Sequence, residues 1–196
     1  MEPTPSQQTP ALTDAALMQR IADRRPDALA DLYDRHAPML LALATRILGN
    51  QAEGEDVVQE TLLQVWHKAR LYDPTRSSVS TWLVLLARSR AIDRLRSRRV
   101  AERTAQSAHA ENARAYTSPK GAEDVLSRER RERVRRELDA LPAEQRQVLD
   151  LAFFEGLTQA EIAERTETPL GTVKTRTLLA MKKLRAALRE EIRELL

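Results

Sequence analysis

Cysteine is absent from this chain of 196 residues, which excludes disulfide bonds, thiolate catalysis and cysteine-ligated zinc. The three histidines, His36, His67 and His109, are scattered and form no pair at the i, i+4 spacing of a helical metal site. The five glycines form neither a Gly-rich phosphate loop nor a G-x-S-x-G motif. The sequence therefore predicts a protein that is not an enzyme and that has no metal site and no cofactor.

Long apolar runs are also missing, so no segment approaches the length of a membrane span. Residues 1–10 contain three prolines and lack the basic and then apolar pattern of a signal peptide. We therefore expect the protein to stay in the cytoplasm. Hydrophobic residues make up 42% of the chain and charged residues 31%, which is typical of a helix-rich soluble protein. The pI near 9.5 favours a polyanionic partner.

Residues 157–189 have the pattern of a helix-turn-helix. Thr158 is a suitable N-cap for a short first helix, and Glu161 stands at the capping-box position three residues later. Pro169 and Gly171 punctuate the turn before a longer second helix. Residues 170–189 include six basic side chains and no acidic one, which suits a helix that enters the major groove. The alternative is an amphipathic hairpin whose charged side is simply solvated.

The remainder of the chain shows apolar residues at helical spacing and no alternation typical of a strand. We expect an all-α protein with two small helical domains joined by a flexible linker, the second being a helix-turn-helix domain. The predicted bounds are a disordered tail over 1–12, a first domain over 13–100, a linker over 101–127 and a second domain over 128–196.

Two helices of the first domain have unusual compositions. The helix from residue 51 begins with Glu53, Glu55, Asp56 and Glu60 and has no basic residue in its first half. The later helix opens with the apolar run 82–87, which predicts burial on every side, and then becomes rich in arginine.

Six short motifs together carry a family resemblance. They are Asp56-Val57-Val58-Gln59-Glu60-Thr61, Thr81-Trp82-Leu83, Ala91-Ile92-Asp93-Arg94-Leu95-Arg96, Leu141-Pro142-Ala143-Glu144-Gln145-Arg146, Thr158-Gln159-Ala160-Glu161-Ile162-Ala163 and Gly171-Thr172-Val173-Lys174-Thr175-Arg176. In this order the chain resembles an extracytoplasmic-function (ECF, group 4) sigma factor of the sigma-70 family. Residues 15–100 resemble region 2 of that family, and residues 130–194 resemble region 4.

The resemblance implies three sets of contact residues. Core polymerase, through the β′ clamp helices, would contact Asp56, Val57, Gln59 and Glu60. The −10 DNA would contact Tyr72, Ser80, Thr81, Trp82, Arg88, Ser89, Arg90, Arg94 and Arg98. The −35 DNA would contact Thr158, Leu170, Thr172, Lys174, Thr175, Arg176, Leu179 and Lys182. Arg176 could pair with a guanine or a phosphate, and the threonine hydroxyls could bond phosphates.

The implied partners are core RNA polymerase, including its β flap, promoter DNA and an anti-sigma factor that could hold the protein at the inner membrane. The implied function is promoter-specific initiation of transcription. Two alternatives stay open: a helix-turn-helix regulator that acts without polymerase, and a sigma-like decoy that binds only an anti-sigma factor. The acidic helix disfavours the first, and the basic recognition helix disfavours the second.

Overall fold

A computed structural model describes residues 12–105 and 125–189, and these residues form helices without any strand. The helices are α1 (Asp14–Ala22), α2 (Pro26–Leu48), α3 (Gln51–Lys68), α4 (Val79–Ala105), α5 (Val125–Asp139), α6 (Ala143–Phe154), α7 (Gln159–Arg165) and α8 (Leu170–Ala187), with a 3-10 turn at Ala69–Leu71. The all-α prediction is confirmed. The predicted tail 1–12 lies outside the described residues except for Leu12, and most of the predicted linker does so as well.

Local signals in the sequence set several of the helix ends. The Thr13 hydroxyl accepts a hydrogen bond from the Ala16 N–H at 3.2 Å and caps α1. Asn50 caps α3 in the same way. Gly49 ends α2 in the left-handed conformation with φ of 69°, a region that glycine enters without steric cost.

The core of the first domain lies between α2, α3 and α4. Leu32, Leu40, Val57, Val65 and Leu83 have no exposed surface there. Burial of side chains of this size contributes about 1.5–3 kcal/mol each. This apolar contact fixes the angle at which α3 and α4 lie side by side, and it thereby decides which of their charged residues meet.

The apolar run at the start of α4 corrects the prediction of burial on every side. Leu83, Ala87 and Ala91, which are four residues apart, are fully buried, whereas Leu85 is 55% exposed. Since α4 covers α2 and α3 from one side, its outer face has no neighbour in the first domain. The helix also begins earlier than expected, because the Ser78 hydroxyl accepts the Thr81 N–H at 3.2 Å. It continues to Ala105, beyond residue 100.

Asp14 joins α1 to α2. Its carboxylate pairs with Arg35, and its Oδ2 lies 2.8 Å from Nε2 of the buried His36. The hydrogen bond with His36 is the main reason why the pKa of Asp14 lies below its usual value of 3.8, and Arg35 acts in the same direction. A lowered carboxyl pKa means that ionised Asp14 stabilises the folded protein.

We expect an Asp14→Asn variant to lose about 1.5–3 kcal/mol of unfolding free energy at pH 7, the range for hydrogen bonds to a charged group. The stabilisation by Asp14 is fully present above the unfolded pKa near 3.8 and is lost as the pH falls through the lower, folded pKa. The difference between variant and wild type should therefore shrink in strong acid. Urea unfolding at several pH values measures this difference in unfolding free energy. Asp31→Asn, which removes an exposed carboxylate from α2, is the control; an equal loss in both variants would contradict the assignment.

Candidate nucleic-acid interface

The helix-turn-helix begins at a capping box. The Thr158 hydroxyl accepts the Glu161 N–H at 3.2 Å, and the Glu161 carboxylate accepts the Thr158 N–H at 2.7 Å. The bond from the Thr158 N–H is the largest cause of the lowered pKa of Glu161. The predicted capping box is confirmed, and it fixes where α7 starts.

The turn between α7 and α8 is held by backbone bonds and by a small core. The Thr168 N–H donates to the Ala163 carbonyl at 3.0 Å, and Pro169 stands at the N-cap of α8. Val173 is fully buried and joins Ile162 and Val148 in one apolar cluster. One side of α8 is therefore anchored on α6 and α7, and no residue of the described ranges covers the opposite side.

Most of the residues predicted to contact −35 DNA are exposed. These are Thr158, Leu170, Thr172, Lys174, Thr175, Leu179 and Lys182. Arg176 differs, because it follows Val173 by three residues and precedes Ala180 by four, so it lies beside the buried face and is only half-exposed. The Thr175 hydroxyl donates to the Gly171 carbonyl at 2.9 Å. That hydroxyl hydrogen is thus already used inside the helix.

Leu178 was not among the predicted contact residues, yet it is 68% exposed on the open side of α8. It stands four residues from both Lys174 and Lys182, which puts the three side chains in one row. This spacing, combined with the position of Val173, is the sequence signal that could have identified Leu178 as a candidate contact residue.

A row of arginines on α4 meets the acidic side of α3. Arg90 bonds Glu60 at 3.0 Å, and Arg94 bonds Glu60 at 2.6 Å and Asp56 at 3.1 Å. Arg98 continues the row and lies 3.3 Å from Glu53. The arginines are four residues apart and the acidic residues are three and four apart, so the two rows can align along two packed helices.

The structure thus brings together two groups of residues to which the resemblance assigns different partners. The predicted polymerase contacts Asp56 and Glu60 are paired with the predicted −10 contacts Arg90 and Arg94, although the two acidic side chains keep 59% and 40% of their surface exposed. Gln59 is exposed as well. Val57 is a correction: it is fully buried, so its side chain supports α3 from within the core and offers no surface to a partner.

Tyr72 and Trp82 form a corner beside the loop that precedes α4. Their rings pack at a centroid distance of 5.5 Å, and the Tyr72 hydroxyl donates to the Ser77 carbonyl at 2.8 Å. Burial is the main reason why the pKa of Tyr72 is raised. Thr81 Oγ1 lies 3.0 Å from Ser78 Oγ, and Ser80 is half-buried against Met39. Both rings pack against the core of the first domain, and each of them stays partly exposed.

Arg88 reaches the second domain. Its Nε donates to the Phe153 carbonyl at 3.0 Å and its Nη2 to the Ala152 carbonyl at 2.8 Å, at the C-terminal end of α6. Its guanidinium also lies 4.8 Å from the centroid of the Phe153 ring. Free carbonyls and the negative end of the helix dipole make this end of α6 favourable for a cation. Ser89, the next residue, is exposed.

Three more arginines of the first domain join this contact, and sequence reasoning did not assign them a site. Arg96 donates to the Gly156 carbonyl at 2.7 Å, and Arg99 bonds the Glu155 carboxylate at 3.1 Å. The guanidinium of Arg46 lies 3.5 Å from the centroid of the Phe154 ring. The sequence shows an arginine-rich helix but does not show which carbonyls it will meet.

Among the described residues, no cluster of three His, Asp or Glu side chains could hold a metal ion. Within the same ranges, every helix is either too short or too polar to cross a bilayer. In the part of the chain that the structure describes, a helical fold carries a helix-turn-helix with an exposed, basic and acid-free second helix, which is typical of the class of DNA-binding proteins.

Comparison with known proteins narrows this class. Residues 32–100 match the family described as Sigma-70 region 2, and residues 131–184 match Sigma-70, region 4. The ECF RNA polymerase sigma factor SigK of Mycolicibacterium vanbaalenii is 37% identical over 173 residues, which cover 88% of each chain. The ECF sigma factor RpoE of Cereibacter sphaeroides is 35% identical over 171 residues, 87% of this chain and 92% of that one. The protein belongs to the ECF sigma factor family.

A solved structure of Rhodobacter sphaeroides SigE in complex with the anti-sigma ChrR is 34% identical in sequence. The match covers 89% of this chain and 97% of that one, with a TM-score of 0.45.

Proposed function

We propose that this protein binds core RNA polymerase and directs it to promoters by recognising a −10 element with the first domain and a −35 element with the second. The observation that carries the proposal is α8, which is anchored by Val173 and turns a basic surface without acidic residues to the outside. A helix held in this way can lie in the major groove while its lysines contact phosphates. The protein then acts as a binding subunit rather than as an enzyme.

In the second domain the proposed −35 contacts include three groups. Lys174 and Lys182 are exposed and suit phosphate contacts, which fix the register on the duplex. Thr172 and Leu170 lie at the N-terminal turn of α8, where backbone N–H groups favour a phosphate. Arg176, at the edge of the buried face, suits a backbone phosphate better than a base at the centre of the groove.

In the first domain we propose that Asp56, Gln59 and Glu60 bind the polymerase and that the α4 side binds −10 DNA. The open parts of Asp56 and Glu60 can meet basic residues of a partner while Arg90 and Arg94 hold the carboxylates in place. Arg90, Arg94 and Arg98 each keep about a third of their side chain exposed, which leaves room for a phosphate. Arg88 bonds α6, so it contacts DNA only when the two domains separate.

Tyr72, Thr81 and Trp82 are the proposed capture site for unstacked bases. A tilted aromatic pair beside hydroxyl groups offers stacking and hydrogen bonds to a base that has left the duplex. Ser80 lies beside this aromatic corner and Ser89 lies further along α4, and both are proposed contacts to −10 DNA. We also propose an anti-sigma factor as an inhibitory partner and the cytoplasm as the compartment.

Reconstituted transcription tests the proposal. Purified protein is added to core polymerase with a promoter library, and we expect promoter-specific run-off transcripts. Lys174→Ala with Lys182→Ala should lower −35-dependent transcription about tenfold or more, because two phosphate contacts are lost, and should reduce the salt dependence of binding. DNA binding without core, and no transcripts with it, would favour a regulator that acts alone. Binding to an anti-sigma protein only would favour the decoy.

A second pair of variants separates polymerase binding from DNA binding in the same assay. Asp56→Ala with Glu60→Ala should weaken the affinity for core while the second domain keeps its binding to −35 duplex. Glu55→Ala, which removes an exposed charge from the same helix without touching the arginine row, is the matched control. Equal affinity for core in the wild type, the double variant and Glu55→Ala would contradict the assignment of α3 as the polymerase-binding helix.

A further inference from the structure

The open side of α8 is apolar at its centre. Val173 and Ala180 have no exposed surface, so at about 100° per residue the opposite side of the helix is centred near Thr175, Leu178 and Lys182. Leu178 is 68% exposed there. Single exposed leucines are common on protein surfaces, but this one lies at the middle of the side that faces the DNA.

Two residues that precede Leu178 on this side, Gly171 and Thr175, offer no free hydrogen-bond donor from a side chain. The Thr175 hydroxyl donates to the Gly171 carbonyl at 2.9 Å, which uses its hydrogen inside the helix and leaves the methyl group for outside contacts. At Gly171 nothing lies within 4 Å of the place where a Cβ would stand. The strip formed by Gly171, Thr175 and Leu178 therefore offers an apolar surface with no spare side-chain donor.

Lys182 lies on the same side of α8, one turn beyond Leu178, and the other charges lie at its flanks. Lys174 and Lys182 each stand one turn away from Leu178 and are exposed, and Arg176 lies further round, beside the buried face. In the major groove, phosphates line both walls and base edges form the floor. The only apolar group on those edges is the 5-methyl group of thymine.

We propose that Leu178, together with the methyl group of Thr175, recognises thymine methyl groups in the −35 duplex. This inference rests on the proposed −35 recognition and deepens it, since it names the base feature that is recognised. It makes an A·T pair at the position facing Leu178 part of the preferred −35 element. It assigns Arg176 to the DNA backbone.

Replacing thymine with uracil tests the proposal, because the exchange removes only the 5-methyl group. Full-length protein bound to core polymerase first selects its −35 sequence from a duplex pool that is randomised over this element. Each thymine of the selected duplex, on either strand, is then replaced singly by uracil in a competition assay. We expect at least one replacement to weaken binding about fourfold, the value of one buried methyl group.

Leu178→Ala should bring that thymine-to-uracil ratio close to one, and it should relax the preference for A·T at that position. The matched control is Leu63→Ala, which truncates a leucine that is 58% exposed on α3 and should keep the ratio. Sequence-specific −35 binding with equal affinity for thymine and uracil at every position would overturn the inference alone. A ratio unchanged by Leu178→Ala would also overturn it. Absence of any −35 preference would overturn the proposed function as well.

Discussion

In an Ile162→Ala variant we expect the second domain to unfold while the first domain stays folded. Ile162 has no exposed surface, and its buried partners in the described part of this domain are Val148 and Val173. Removal of a buried isoleucine side chain to alanine costs about 2–5 kcal/mol. A helical domain of this size has little stability to spare, so the loss is comparable to its whole unfolding free energy.

Thermal unfolding followed by circular dichroism, together with −35 duplex binding, measures the effect of Ile162→Ala. The expected result is loss of −35 binding with retained affinity for core polymerase through the first domain. Ile162→Val is the matched control and should cost only about 0.5–1.5 kcal/mol, with −35 binding preserved. An Ile162→Ala protein that binds −35 DNA like wild type would show that this buried cluster does not hold the helix-turn-helix together.

The second large effect is expected at Gly156, where the two domains touch. Its φ is 66°, and a Cβ at this position would lie 2.5 Å from Cγ2 and 2.9 Å from Cδ1 of Ile92. Ile92 is buried and cannot yield easily. A Gly156→Val variant should therefore lose the close approach of α4, and with it the bond from Arg96 to the Gly156 carbonyl. The domains are then expected to separate.

The absence of native cysteine makes this separation easy to measure. Cysteines introduced at the exposed positions Asp31 and Gln147 can carry a fluorophore pair, one in each domain. We expect clearly lower energy transfer in Gly156→Val than in the parent. Gly171→Ala is the control glycine variant, because nothing lies within 4 Å of its Cβ position, and it should leave the transfer unchanged. Unchanged transfer in Gly156→Val would mean that this contact does not hold the domains together.

The arginines of α4 show how far sequence reasoning reached at the candidate site. Their number and their helical register were visible in the sequence, and the resemblance assigned Arg88, Arg90, Arg94 and Arg98 to DNA. In the structure, Arg88 donates hydrogen bonds to carbonyls at the end of α6, whereas Arg90 and Arg94 form ion pairs with carboxylates of α3. A charged residue binds whichever opposite charge or free carbonyl the packing brings near, and periodicity alone does not specify that neighbour.

The sequence by itself determined the all-α class, the helix-turn-helix and several helix ends. The caps at Thr13, Asn50 and Thr158 were decided within three residues of each site, because the hydroxyl or amide oxygen and the N–H group that it accepts are close along the chain. Only the tertiary structure decided that Leu85 stays exposed and that Val57 is internal. It also decided that Arg88 bonds the carbonyl of Phe153, which lies 65 residues later in the sequence. These outcomes depend on which faces of separate helices pack together. The total apolar area that is buried determines this packing, and no single local signal does.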